Sequence, residues 1–385
     1  MTASTLSTSS ATRFPSSRRF RRARRWALLA SAALLVTACA GGGTQPAVPA
    51  GGAQGGALQA FDQNSIPPTG VQGGPTFDLS GVRIVATTPA PGAINMGTFF
   101  AYKRLEEWGA DVDIVVITTT SGVQALVAGE ANIASQGTDE VVLAAAEGAR
   151  MVSVGAPYTA VDYVLVGRRD ITDLPALRNR VVGMSGPSGF DALLTRLTLE
   201  QNGMNPEGDV RFVQIGGSPD RAAALLSGRI DAATIFMEDW EEISRRTDEL
   251  RLIHYMADTV PGIPSAAFFA DERYWNENRQ VALALACANL QANRWINSSE
   301  DSFVEWVLRI VPGSTEEAAR AIYRAGREVD MWPTDPERIM SVQGLNGLVD
   351  AMLQTGEISN RVDPVTISDT SYLREAAAMG CGQES

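Results

Sequence analysis

The chain has 385 residues, 45% of them hydrophobic and 20% charged, and 44 acidic residues outnumber 32 basic ones for a net charge of −12. That balance works against nucleic acid or anionic membrane surfaces as partners. One histidine, His254, and three cysteines offer little material for a His/Cys metal centre or a histidine-based triad, so no metal, cofactor or catalytic residue is assigned.

The first 25 residues carry seven arginines and no acid, and an apolar run, Trp26–Ala38, follows. At about a dozen residues it is shorter than the ~20 needed to span a bilayer as a helix. A basic region, a short apolar region and small residues at its end make an export signal over residues 1–38. The ending Val36-Thr37-Ala38-Cys39 resembles a bacterial lipobox, in which the cysteine is lipidated and becomes the first residue after cleavage. Cleavage there would remove seven basic residues and take the net charge to −19. Residues 39–78 are rich in Gly, Ala, Pro and Gln without apolar periodicity, and are expected to form a flexible tether, with folded sequence starting near Leu79.

From there strands and helices alternate. "VRIVAT" (Val82–Thr87) is a buried-type strand. The next helix places Phe99, Tyr102 and Leu105 on one face and stops at Gly109. "VDIVVI" (Val112–Ile117), a helix from Ser121, the strand "ANIAS", a helix capped by Thr138 and the strand "MVSVG" complete a first α/β set. The order then restarts with "RVVGM", a helix from Phe190, "RFVQI", a helix opened by Ser218-Pro219, and "IDAATI". An internal echo, "ALVAGEANIA" from Ala125 and "ALLSGRIDAA" from Ala224, supports two similar α/β lobes. Beyond Ala270 the chain reads as helical: Arg279–Ile296, Glu300–Val311, Thr315–Arg324, Pro336–Thr355 and Thr370–Met379. These helices are expected to bury their apolar faces on the first lobe. Cys287 lies in one of them and could be a buried thiol or pair with Cys381.

Ligands of open parallel sheets bind beyond the carboxyl ends of the strands. Six loops qualify: Thr87–Asn95, Thr118–Ser121 and Ser135–Thr138 in the first lobe, and Ser185–Phe190, Gly216–Ser218 and Phe236–Trp240 in the second. Most are Gly, Ser and Thr at helix starts, where free N–H groups favour polar or anionic groups. Tyr158 and Tyr163 flank the expected crossing between lobes. Glu238 and Trp240 would suit a planar ligand bearing hydrogen-bond donors.

Several stretches, among them "DLPALRNRVVGMSGPSGFDALLTRLTLEQNGMNPEGDVRFVQIGG", "PDRAAALLSGRIDAATI" and "SGVQALVAGEANIASQGTDEVV", resemble the solute-binding proteins of ABC importers in the nitrate, sulfonate, taurine and thiamine-pyrimidine group. The resemblance runs from about Val82 to Leu373. It implies a type II periplasmic-binding-protein fold, with lobe 1 made of residues 79–157 and 264–385 and lobe 2 of residues 158–263. A small organic solute (a sulfonate, nitrate or taurine-like anion, or a pyrimidine or other heterocycle) would lie between the lobes and pass to a permease and its ATPase. Carried over by position, the ligand shell includes Gly92, Ala93, Ser121, Gln136, Gly137, Ser188, Gly189 and Glu238. Thr138, Phe190 and Trp240 join it from the strand-end loops, and Tyr158 from the crossing between lobes. Yeast-type pyrimidine synthases share the fold but use a cysteine cluster and histidines, which this chain lacks. A monomeric, lipid-anchored, extracytoplasmic binding protein is therefore expected. A binding subunit of another transporter or sensor, or a secreted α/β enzyme, are the alternatives.

Overall fold

A computed structural model describes residues 58–117, 121–187, 189–260 and 262–383. The expected signal, Cys39, the first part of the tether and Ser188 lie outside the described residues. Apolar residues alternating along "DVDIVVI" place Val112, Ile114 and Val116 on the buried face of one strand. In chain order the first set of elements is β1 (Leu58–Ala60), β2 (Arg83–Thr88), α1 (Met96–Glu107), β3 (Asp111–Ile117), α2 (Gly122–Val127), β4 (Ile133–Gly137), α3 (Thr138–Ala146) and β5 (Met151–Gly155). The second set is β6 (Tyr163–Arg168), β7 (Val181–Met184), α4 (Phe190–Gln201), α5 (Pro206–Asp209), β8 (Arg211–Gln214), α6 (Ser218–Leu226), β9 (Ala232–Phe236), α7 (Met237–Ser244), β10 (Leu250–Tyr255) and α8 (Met256–Thr259). The chain then returns through β11 (Ala266–Asp271).

Two mixed sheets result, one in each lobe. The first has the order β1-β3-β2-β4-β11-β5 and the second β10-β6-β9-β7-β8. Strands β2, β3 and β4 run parallel, as do β7, β8 and β9, so their carboxyl ends share an edge in each lobe. Strand β11 is antiparallel to β4 and β5. Two segments, 156–162 and 256–265, therefore connect the sheets, and the Ser265 hydroxyl donates to the Ala160 carbonyl at 2.7 Å to tie one to the other.

The helical tail comprises α9 (Glu272–Glu277), α10 (Arg279–Ser298), α11 (Glu300–Ile310), α12 (Glu316–Glu328), α13 (Pro336–Ile339), α14 (Val342–Gln354) and α15 (Ser371–Ala378). Helix α10 buries Leu285, Ala288 and Leu290 in the lobe 1 core with Phe99, Phe100 and Phe268. Each of these leucines and phenylalanines contributes about 1.5–3 kcal/mol on burial. The tail goes further than the sequence suggests. Leu348, Val349 and Met352 of α14 join a core with Leu193 and Leu197 of lobe 2, and Arg245 of α7 pairs with Glu317 of α12 at 3.6 Å.

Three other expectations change. Residues 58–78 belong to the fold rather than to a tether. β1 pairs with β3, the Gln63 amide donates to the Val112 carbonyl at 2.8 Å, and Thr69 gives two hydrogen bonds to Glu107 at 2.7 and 2.6 Å. Ile66 is buried in the lobe 1 core, and Phe61 and Phe77 pack on Phe99 and Trp108, so irregularly spaced apolar residues and polar contacts together hold this segment. Thr138 and Ser218 are first helical residues, and Gly137 and Gly217 hold the cap positions. The expected helix 336–355 breaks at Ser341, whose hydroxyl caps α14 by accepting from the Gly344 N–H at 3.1 Å.

Gly344 lies directly against the second inter-lobe segment, where an added β-carbon would land on the Gly262 carbonyl. Gly344→Ala is accordingly expected to lower stability by about 1–3 kcal/mol or more through overpacking against backbone. Urea unfolding would measure it, and an unchanged midpoint would refute the contact.

Candidate ligand cleft

The carboxyl edge of the lobe 1 sheet carries Thr88 at the end of β2 and Gln136, Gly137 and Thr138 at the end of β4. These strands are paired neighbours. The Oγ1 atoms of Thr88 and Thr138 and Nε2 of Gln136 are buried without a hydrogen-bond partner. Thr88 and Thr138 are 0% and 1% exposed. Buried polar groups are almost always satisfied, because each one left unpaired costs about 1–3 kcal/mol. Three such atoms on one sheet edge mark a place for something polar.

Lobe 2 meets the loop that follows β2 through Glu238, the second residue of α7. Its Oε2 accepts the Ala93 N–H at 3.3 Å, a hydrogen bond from one lobe to the other. A β-carbon on Gly92 would lie 3.2 Å from the same oxygen. Asn95 holds this loop in shape, accepting from the Gly92 N–H at 2.9 Å and donating to the Ala90 carbonyl at 3.1 Å.

Beside Glu238 stand Asp239 and, on the first inter-lobe segment, Asp162, which is 4% exposed. Burial, then the charges of Glu238 and Asp239, push the Asp162 carboxyl up to about 7. Burial and Asp239 lift Glu238 to about 7 against the Ala93 N–H. Asp239 is raised by burial, although Ser218 donates to it. On lobe 1, burial lifts Asp139 to about 6, opposed by its own N–H and that of Glu140. Glu140 rises to about 7 through burial and then the charge of Asp139. Tyr158 and Tyr163 are raised by burial and next by Asp162.

The lobe 2 floor is built differently. Arg221, 2% exposed, sits 3.7 Å from the Asp191 carboxylate and donates to the Thr234 and Gly216 carbonyls at 2.8 and 2.5 Å. Asp191 also accepts from the Ser185 N–H at 3.0 Å and from its hydroxyl. Arg221 is thus spent on structure.

The other expected site residues separate into groups. Ser121 caps α2 in a capping box with Gln124, which accounts for it structurally. Gly189 caps α4, where a side chain would collide with Ser185 and Asp191. Phe190 lies 6.1 Å from Tyr163, edge to ring. Trp240 does not join the cleft residues. It packs on the lobe 2 core and lines a surface groove with Arg169, Ser244 and Leu250. Two residues along a helix, Glu238 and Trp240 point nearly opposite ways. Asp139 and Asp162 were not among the expected site residues, and Thr88 was included only as part of the loop Thr87–Asn95. Asp162 left one trace, an acid isolated between apolar and aromatic residues in "AVDYV". A cavity of about 660 Å³ lies between residues 69–75, α10 and the C-terminal segment. None of the unpartnered buried polar atoms lines it.

Raised carboxyls have a stability consequence. Below about pH 4 both folded and unfolded states keep these protons. Between about 4 and 7 the unfolded chain releases protons that the folded cleft retains, so stability falls as pH rises through this window and levels off above it. Glu238→Gln should reduce the fall between pH 4.5 and 7, read as melting temperature against pH for both proteins. Parallel curves would refute a raised Glu238.

Two α/β lobes joined by two segments, with facing strand ends at a polar cleft, define the generic periplasmic-binding-protein fold. The nitrate-binding protein of Synechocystis aligns over 77% of this chain and 89% of its own, with a TM-score of 0.65 and 14% identity. The putative sulfonate-binding protein of Methylobacillus flagellatus aligns over 79% and 95%, at 0.61 and 16%. The aliphatic sulphonate binding protein of Escherichia coli aligns over 74% and 95%, at 0.58 and 18%. No curated protein sequence matches. The family model described as "NMT1/THI5 like" matches residues 105–299, half of the chain, and the chain belongs to that family.

Proposed function

We propose that this protein is the solute-binding subunit of an ABC importer, capturing a small organic solute between its lobes and handing it to a permease driven by an ATPase. The observation that carries this is the lobe 1 edge, with its buried unpartnered Thr88, Gln136 and Thr138 atoms, together with a carboxylate that reaches from lobe 2 to the Ala93 N–H in the loop after β2. Nitrate and sulfonate binding by the structural neighbours supports the same class. Binding without catalysis fits the single histidine, His254, whose ring hydrogen-bonds Thr259 rather than a site residue. Gly92, Ala93, Gln136, Thr138, Tyr158 and Glu238 are the ligand contacts this reading favours, with Gly137, Ser188, Gly189 and Phe190 shaping the loops.

Export and anchoring at Cys39 belong to the same proposal, with the protein acting as a monomer on the outer face of the cell membrane. A buried disulfide between Cys287 and Cys381 supports an oxidising compartment. Cys39→Ser is expected to move the protein from the membrane to the soluble fraction with ligand binding unchanged, and retention in the membrane would count against lipidation. Solute binding itself is tested by native mass spectrometry of the purified protein and by thermal shift on adding back the released compound. A ligand at 100 times its Kd adds about 2.7 kcal/mol. A protein that carries no small molecule and responds to none is not a solute receptor.

A further inference from the structure

We propose that the solute is an organic cation, with Glu238, Asp162 and Asp139 around its positive nitrogen and the Thr88 and Thr138 hydroxyls accepting its remaining N–H groups. This rests on the solute-binding reading and narrows it. The Ala93 N–H, a free backbone donor in a loop leading into a 12-residue helix, is the kind of group that holds an anion. Here the protein's own Glu238 carboxylate takes it. An anionic solute would have to displace that carboxylate and then face Asp162 and Asp239. Arg221, the cation whose charge reaches Asp239 and Tyr163, is committed to Asp191 and two carbonyls.

The groups facing Glu238 reinforce the point. Asp239 and Glu242 share its helix, Asp162 comes from the inter-lobe segment, and Tyr158 and Asp139 extend the acidic line into lobe 1. Asp162 is buried with its own N–H as the hydrogen-bond donor to its carboxyl. Buried carboxylates without a counter-charge demand protons or a cation. The Thr88 and Thr138 hydroxyls point independently to a ligand, since both are buried and unpartnered where β2 and β4 end. An organic cation fits better than a metal ion, because no three His, Cys, Asp or Glu side chains among the described residues are arranged to hold one.

The test uses water-soluble yeast extract separated by ion exchange into cationic, neutral and anionic fractions, with thermal shift of the purified protein against each. The cationic fraction should stabilise, and more strongly at pH 8 than at pH 6, because a cation competes with protons for the carboxylates. Glu238→Gln should weaken the response by about 10- to 100-fold in affinity while the ligand-free variant melts no lower than the wild type. Asp162→Asn provides the same test should Glu238→Gln fold poorly. Stabilisation by the anionic or neutral fraction alone, or a response that grows as pH falls, overturns the proposal and leaves solute binding standing. Silence from all three fractions defeats the solute-binding reading and the proposal with it.

Discussion

Replacing Arg221 by alanine is expected to destabilise the protein by about 3–5 kcal/mol, the range for breaking a buried ion pair from one side. Arg221 and Asp191 are 2% and 3% exposed and lie 3.7 Å apart. The guanidinium also satisfies the carbonyls of Thr234 on β9 and Gly216 before α6. Its loss strands a carboxylate and two carbonyls together, and water cannot easily reach them. The damage should not stop at stability. Gly216 opens the loop that positions Ser218, and the Ser218 hydroxyl accepts the Phe236 N–H at 2.8 Å and donates to Asp239 beside Glu238. Solute affinity should therefore fall along with the urea midpoint. An Arg221→Lys variant keeps the charge but cannot bridge both carbonyls with a planar fork, so it should recover only part of the loss. An unfolding free energy within about 1 kcal/mol of wild type for Arg221→Ala would show that the pair is not a structural keystone of lobe 2.

Local patterns announced the architecture. Alternation in "DVDIVVI", the small-residue strands and the glycine stops repeat in two halves, and the two sheets follow from that repetition. What stayed hidden depends on partners distant in sequence. Residues 58–78 carry no regular apolar period because their core contacts are scattered, at Phe61, Ile66, Val71 and Phe77, and the rest are polar contacts to β3, Glu107 and α10. Thr88 fell inside the candidate loop Thr87–Asn95 but did not stand out there, because only the fold shows that its hydroxyl is buried without a partner at the end of β2. Asp162 is a surface-type residue by composition and is buried only because the inter-lobe segment runs beneath α7, where its carbonyl accepts the Met237 N–H at 2.8 Å. Glu238 stood out in the sequence because it follows a strand end, and the structure gives it a hydrogen bond to Ala93 of the other lobe. Trp240 misled for the same reason, since the loop rule selects a position along the chain and the helical turn decides which way each side chain faces. The cysteines show the same limit: the sequence left pairing open, and only the fold brings their α-carbons to 5.2 Å.

Removing that Cys287–Cys381 bond should be the other large loss, about 4 kcal/mol. The bond closes a loop of 94 residues, and in the chain-entropy account a loop near 100 residues contributes about 4.7 kcal/mol by restricting the unfolded chain. Contacts that survive reduction offset little of this, because they exist in both proteins. Tyr372, Leu373 and Ala376 of α15 would still pack on α10, and the Arg294 guanidinium would still donate to the Gly382 carbonyl at 2.7 Å. Substitution by alanine at both positions also trims two buried side chains, at 0% and 3% exposure, so reduction of the native protein is the cleaner comparison. Urea unfolding with and without a strong reductant should show a lowered midpoint. The cleft should be indifferent, because neither cysteine belongs to a strand end or an inter-lobe segment. Solute affinity measured below the new transition should match that of the oxidised protein. Equal midpoints would mean that the unfolded chain gains little freedom on reduction. A loss of affinity well below the transition would instead tie the C-terminal segment to the geometry of the cleft.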